Sequence, residues 1–200
     1  MMPETATGSA RERAAKEKER SILSAALALF AERGYQGTAV PEVAALAGVG
    51  TGTIYRYFEN KEALVNAVFR RAKTRLKETL LPGLDFSAAP RALFHQFWLN
   101  LVHFSQAYPV DFHFLELQDH SPYLDAESKA LEQEVLVPIW GFCEFQRGAG
   151  VVRDVPSEIL IALVWGAFVG LVKAQSTGYL SASAGQFQQA EEACWHLLTR

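Results

Sequence analysis

Ile22, Leu23, Ala26, Leu27 and Phe30 recur at spacings of one and four, which lays an apolar stripe along a helix, not along a strand. Gly34 stops that helix, because glycine enters a left-handed C-terminal cap without steric cost. Thr38 is placed to N-cap a short second helix, with Pro41 in its first turn where a missing N–H costs little. Gly48-Val49-Gly50 breaks that helix, and a third short one is expected from Thr51 to Phe58. Asn60 can cap a fourth, running from Lys61 to Leu80 and ended by Pro82-Gly83. Short helices joined by a glycine-containing turn outline a helix-turn-helix.

Beyond residue 83 proline does the punctuation. Pro90 opens a helix to Tyr108, and Pro109 opens another ending near His120. The next, Asp125 to Gln146, carries Pro138 in its interior, where a lost hydrogen bond and a ring clash predict a kink or break. Helices over 156–178 and 184–198 follow, the last opened by the capping-box pair Ser183 and Gln186. No sustained apolar/polar alternation and no internal repeat is present. The pattern predicts an all-α fold of about nine helices. It divides into a helix-turn-helix domain over residues 1–65, its opening residues 1–12 expected to be flexible, and a second helical domain over 66–200.

Charge sharpens that division. The 200 residues carry a net charge of -3. Residues 1–80 hold 13 basic and 9 acidic residues (13 − 9 = +4), and residues 81–200 hold 6 and 13 (6 − 13 = −7). A basic front on an acidic remainder suits an anionic partner at the front and a different task behind. Half the residues are hydrophobic and 20% are charged, as in a soluble globular chain. Cys143 and Cys194 are too few for a disulfide framework or a four-thiolate zinc site. Residues 11–20 are polar where a secretory signal needs an apolar core. The uncharged run Ile159 to Val172 falls short of the roughly 20 residues that span a bilayer and is expected to be a buried helix. A reduced, cytoplasmic protein without a membrane partner is the expectation.

Residues 34–64, GYQGTAVPEVAALAGVGTGTIYRYFENKEAL, closely resemble the DNA-binding domain of the TetR (tetracycline-repressor) family. The matching features are the Gly-Tyr after the first helix, Thr38, the ALAGV turn, GTIYRYF and NKEAL. With the first apolar stripe, the resemblance covers residues 16–65. The residues also make physical sense on their own. In a helix-turn-helix the second helix lies in the major groove with its N-terminal residues toward base edges. Here it opens Thr51-Gly52-Thr53, and Gly52 lets the backbone come close to DNA. Ile54 and Phe58 share a face and should anchor the helix to its own core. The resemblance implies DNA contacts from Thr51, Gly52, Thr53, Tyr55, Arg56, Tyr57 and Lys61. Thr38, Arg13, Lys16 and Arg20 are further candidates for phosphate. Arg56 can pair its fork with guanine O6 and N7. Many relatives carry serine in place of Gly50 and a basic residue in place of Thr51, which bears on base preference. The plain alternative, ordinary core aromatics and a solvated lysine, is expected to hold for Phe58.

In the back half, Ala162, Gly166, Gly170, Ala174 and Gly178 recur every four positions, a ridge that lets another helix approach closely. Phe187, Ala190, Cys194 and Leu198 lie at helical spacing on the last helix. The resemblance implies that these two helices, through Ala162, Gly166, Gly170, Ala174, Phe187, Cys194 and Leu198, form a homodimer interface; packing inside the chain is the alternative. The middle helices are rich in aromatics, and a pocket for an apolar or amphipathic small molecule is expected from Phe94, Trp98, Phe112, His113, Glu116, His120, Trp140 and Trp165, with Phe168 behind. For any single aromatic, plain core is the competing reading. His113, Glu116 and His120 fall on one helix face, but two turns, about 10.5 Å, separate the imidazoles, too far to share one ion directly. A metal would need His95 or His103 as well; a hydrogen-bonded polar patch is the simpler reading, and no metal or cofactor is expected.

No phosphate loop, G-x-S-x-G elbow or H-E-x-x-H stands in the chain, so an enzyme is not expected. The reading is a homodimeric, ligand-responsive transcriptional repressor that binds a pseudo-palindromic DNA operator and is released by a small molecule. A back half that binds a protein partner, and an activator or co-repressor-dependent regulator, remain alternatives.

Overall fold

The computed structural model describes residues 5–181 and 183–199, and among these it forms nine α-helices with no β-structure beyond one bridge, Val152 to Thr199. They are α1 (Thr5–Arg33), α2 (Val40–Ala47), α3 (Thr51–Tyr57), α4 (Lys61–Leu80), α5 (Pro90–Ala107), α6 (Pro109–Leu117), α7 (Ala126–Gly148), α8 (Ser157–Ser176) and α9 (Ala184–Leu198). Two compact units result. The first takes the described residues through Lys73 together with Val110–Ser128; the second takes Thr74–Pro109 with Lys129 onward. The units are thus discontinuous in sequence, with α6 and the loop after it inserted into the first.

In the first unit Ile22, Ala26 and Phe30 of α1 are buried, as the stripe requires, and α2 packs on α1 and α3 on α2. Gly34 ends α1 with φ 70°, a conformation that costs a Cβ-bearing residue about 1–2 kcal/mol. α1 begins at Thr5, inside the opening segment expected to be flexible; residues 1–4 lie outside the described ones. Thr38 does not cap α2. It is 2% exposed, and its hydroxyl donates toward the Leu29 and Gly34 carbonyls, fastening the end of α1. Ala39 takes the N-cap position, and Glu42 reaches back to accept from its N–H at 2.9 Å. Asn60 caps α4 as expected, its Oδ1 accepting from Ala63 N–H at 2.8 Å.

The inserted segment is stitched to α4 by one buried amide. Asn66, 3% exposed, donates through Nδ2 to the carbonyls of Glu62 and Tyr123. Its Oδ1 accepts from Asp125 N–H and Ser128 Oγ–H. All four hydrogen-bonding positions of the amide are used. α6 ends at Leu117, so His120 lies beyond it, not on a shared helical face with His113 and Glu116. His120 is buried between Phe69, Phe114 and Tyr123. Its Nε2 faces the Phe114 carbonyl, which can only accept, so Nε2 carries a proton, and Nδ1 lies 2.6 Å from the Tyr123 hydroxyl. Burial, then the charge of Asp119 and the neighbouring Tyr35, push the Tyr123 phenol up to about 12.

The second unit is built around α5, α8 and α9, with α9 packed on both of the others. Trp98 meets Phe168 edge-on at 5.2 Å and donates its indole N–H to the Phe187 carbonyl at 3.0 Å. The carboxylate of Glu191, buried on α9, accepts from Arg91 and His95 of α5, which satisfies a charge too costly to bury alone. α7 runs unbroken through Pro138; the proline removes one rung without ending the helix. Ser157, buried at the start of α8, donates to Glu144 of α7 at 2.6 Å. Ser183 and Gln186 form the expected capping box of α9.

Candidate nucleic-acid interface

The turn between α2 and α3 is set by Gly48, at φ 69°, after which Val49 N–H returns to the Ala44 carbonyl. Gly50 then holds the N-cap of α3 in an extended conformation with no side chain to cap it. The helix that follows is seven residues long and packs on α2. Its inner face is fixed by Ile54, fully buried, and by buried Phe58 just past its end, so the anchoring pair is as the spacing predicts. The rest of α3 points outward. Tyr55 is 52% exposed, Gly52 and Arg56 are exposed, and Thr51 and Thr53 are half-buried. A Cβ added at Gly52 would meet no atom within 4 Å, so the position is open surface.

Two neighbouring candidates are already engaged inside the unit. The Tyr57 hydroxyl donates to the Ala15 carbonyl at 3.2 Å, tying the end of α3 to α1. Lys61 places its ammonium 4.3 Å from the centre of the Tyr35 ring, and burial holds its pKa below the ordinary lysine value. Tyr35 in turn stacks on Tyr123 at 4.5 Å. Thr38 has neither exposure nor a spare hydroxyl proton and drops out of the contact set. Lys16 and Arg20 are exposed on α1, Arg20 beside Glu17. On α3 itself the outward residues without a partner role inside the unit are Thr51, Gly52, Thr53, Tyr55 and Arg56: hydroxyls, one guanidinium and a bare backbone, suited to phosphate oxygens and base edges.

The residues expected around a ligand do not come together in one unit. Phe112, His113, Glu116 and His120 belong to the first unit, and Phe94, Trp98, Trp140 and Trp165 to the second. His113 is exposed and Glu116 half-buried, whereas His120 is committed to Phe114 and Tyr123. Phe94 and Trp98 serve the core, and Trp140 is exposed, with its indole N–H on Glu158 at 3.2 Å. Among the described residues no group of three or more His, Cys, Asp and Glu is arranged to hold a metal ion.

The expected dimer residues separate by helix. Ala162, Gly166 and Gly170 are exposed and Ala174 half-buried on α8, and nothing lies within 4 Å of a Cβ built at either glycine. Phe187, Cys194 and Leu198 are buried within their own unit, so they build its core; the outer face of α9 is Gln188, Gln189, Glu192, Ala193 and His196. The expectation of a buried α8 is also corrected. By length and composition this helix could cross a membrane, yet only 22% of its most apolar window is buried. Ile159 and Leu163, each about half exposed, extend the uncovered ridge.

Asn66, Gln118 and Tyr123 carried no motif in the sequence. Asparagine inside a predicted helix is a poor helix former, and that was the one available signal for Asn66. Gln118 donates to the Ala31 carbonyl at 3.3 Å, serving an orphan acceptor in the last turn of α1.

Comparison with known proteins agrees with this geometry. Residues 22–68 match the model of bacterial regulatory proteins of the tetR family, and residues 69–199 match the tetracyclin repressor-like C-terminal domain. The HTH-type transcriptional regulator RutR of Escherichia coli (strain K12) is 31% identical over 163 residues, covering 78% of this chain and 74% of RutR. A TetR family transcription regulator from Marinobacter aquaeolei VT8 superposes with a TM-score of 0.81 at 22% identity, over 94% of this chain and 98% of that one. AibR, solved in complex with isovaleryl coenzyme A and operator DNA, superposes with a TM-score of 0.70 at 19% identity, over 91% of this chain and 98% of AibR. With an outward-facing recognition helix on an all-α chain matched along its length, this protein belongs to the TetR family of DNA-binding transcriptional regulators.

Proposed function

We propose that the protein is a homodimeric repressor that binds a pseudo-palindromic operator and is released by a small apolar or amphipathic molecule. The observation that carries the DNA half is the outward face of α3, with Tyr55 and Arg56 exposed while Ile54 and Phe58 hold the helix in place. A two-fold DNA site calls for a two-fold protein, and the uncovered apolar ridge of α8 is the surface suited to supply it. Covering that ridge with a second copy accounts for its composition in a soluble, cytoplasmic protein without a membrane partner.

The effector half rests on connectivity. Residues 110–128 come from the back half of the chain yet fold with the DNA-binding helices, and α4 continues from one unit into the other between Lys73 and Thr74. Functionally we divide the chain near residue 65, the front reading DNA and the rest sensing and pairing. A ligand acts on this arrangement only through different affinities for DNA-competent and DNA-incompetent states. Ala72 and Leu76, both buried on α4, are the positions through which that difference passes. No catalytic step and no cofactor enters this function.

Selection of duplexes from a random pool by the purified protein, at one stated salt concentration, tests it. Enrichment of a two-fold symmetric motif supports the reading. An enriched motif without symmetry contradicts the dimeric mode, and no enrichment at low salt contradicts binding by the ligand-free form.

A further inference from the structure

A second apolar surface lies on the C-terminal half of α7. Val137 is 58% exposed, Trp140 44% and Phe145 73%, with Leu136 and Gly141 also exposed between them. On the helical wheel these positions share one side, opposite buried Val135, Cys143 and Gln146. Nothing in the DNA-binding role uses this stripe. Monomeric soluble proteins rarely leave so much contiguous aromatic surface to water.

Two observations say what covers it. The stripe is continuous with the ridge of α8, because the Trp140 indole N–H donates to Glu158, whose chain neighbour Ile159 begins the exposed α8 face. The hydrogen bond from Ser157 to Glu144 fixes the same junction one turn further along α7. The second observation is area. A stable interface takes about 800 Å² from each partner. The α8 ridge of Ala162, Gly166, Ala167 and Gly170 permits close approach but carries little side chain, and Ile159 and Leu163 are the most exposed large apolar residues beside it. Aromatic side chains bury roughly 150–250 Å² each, so covering the exposed parts of Trp140 and Phe145 adds on the order of 200 Å², about a quarter of one partner's share.

We infer that the occupant of the α7 stripe is a second copy of this chain, and that the dimer interface includes Val137, Trp140 and Phe145 beside the α8 ridge. The inference rests on the α8 dimer proposed above and names the part of it that supplies most of its aromatic contact. Aromatic anchors beside a glycine ridge divide the work: the ridge sets the approach distance, and the anchors set the affinity.

Sedimentation equilibrium on three proteins separates this inference from the reading beneath it. Gly166→Glu puts a charge on the α8 ridge. Val137→Asp with Phe145→Asp charges the α7 stripe at positions exposed within the chain, so the fold should be unaffected. The expected result is that both variants weaken the dimer, the α7 pair by about 30-fold or more in dissociation constant. In the Gly166→Glu background the α7 pair should leave the melting temperature unchanged, since its effect passes through association. An α7 pair that dimerises as tightly as wild type, while Gly166→Glu dissociates, overturns the α7 inference alone. A wild-type protein that is monomeric, or a dimer indifferent to Gly166→Glu, overturns the α8 reading and this inference with it.

Discussion

Replacing Asn66 by alanine should cost far more than one surface hydrogen bond. The substitution removes a buried amide that satisfies the Tyr123 carbonyl and the Asp125 N–H, which lie in a loop without helical partners of their own. Each buried group left unsatisfied costs about 1–3 kcal/mol. Ser128 keeps a contact from Arg70, and Glu62 keeps its place in the helix, so they add less. Alanine returns about 0.6 kcal/mol of helix propensity. The net expectation is a loss of about 2–5 kcal/mol, a large share of a typical stability of roughly 5–15 kcal/mol. Urea unfolding at fixed protein concentration measures it, with the m-value expected to stay constant. Asn66→Asp keeps both acceptor bonds but turns a second acceptor onto the Glu62 and Tyr123 carbonyls, and should also be less stable than wild type. Amide exchange at Asp125 should quicken in the alanine variant. A change below 1 kcal/mol with Asp125 still protected would refute the claim that this amide fastens residues 118–128 to α4.

Other expectations follow from single contacts. Gly34→Ala should destabilise by at least about 1–2 kcal/mol, from its φ of 70° and from a Cβ 3.0 Å from Gln118 Oε1; thermal melting reads the shift. Tyr123 is held in its neutral form by the fold, its pKa raised from 10.0 to about 12, so the stability it contributes is complete below pH 10 and is lost as pH climbs from 10 to 12. Tyr123→Phe should flatten that part of the stability–pH curve, and an unchanged slope would contradict the assignment. Substituting a large residue for Ala72 or Leu76 should uncouple effector from DNA, so effector-induced release that is unchanged in both variants would count against α4 as the connection.

Much of this fold was legible because local signals and tertiary roles agreed. Gly34, Gly48, Asn60 and the Ser183–Gln186 box each end or start a helix where the residue chemistry demands it. Ile54 and Phe58 were readable as anchors because a short helix has only one inner face. Thr38 was not, since a threonine before a helix can cap it or turn its hydroxyl back onto the preceding one, and only packing decides. Helical spacing marked Phe187, Cys194 and Leu198 as a covered face without saying what covers it; the answer is their own unit. α8 is apolar on all sides, so periodicity could not divide its buried face from its open one. The fastening of residues 110–128 to the front unit depends on contacts across some sixty residues, which no local pattern encodes.

The central claim is that the outer face of α3 reads DNA, and binding of the selected duplex by Tyr55→Ala and Arg56→Ala tests it most directly. Both side chains are exposed, so circular dichroism and melting should match wild type. Fluorescence anisotropy at several salt concentrations should show specific affinity lost by about 1–3 kcal/mol for Arg56→Ala, with preference relaxed at one base position in each half-site. Variants that bind the selected duplex as tightly and as selectively as wild type would contradict the account.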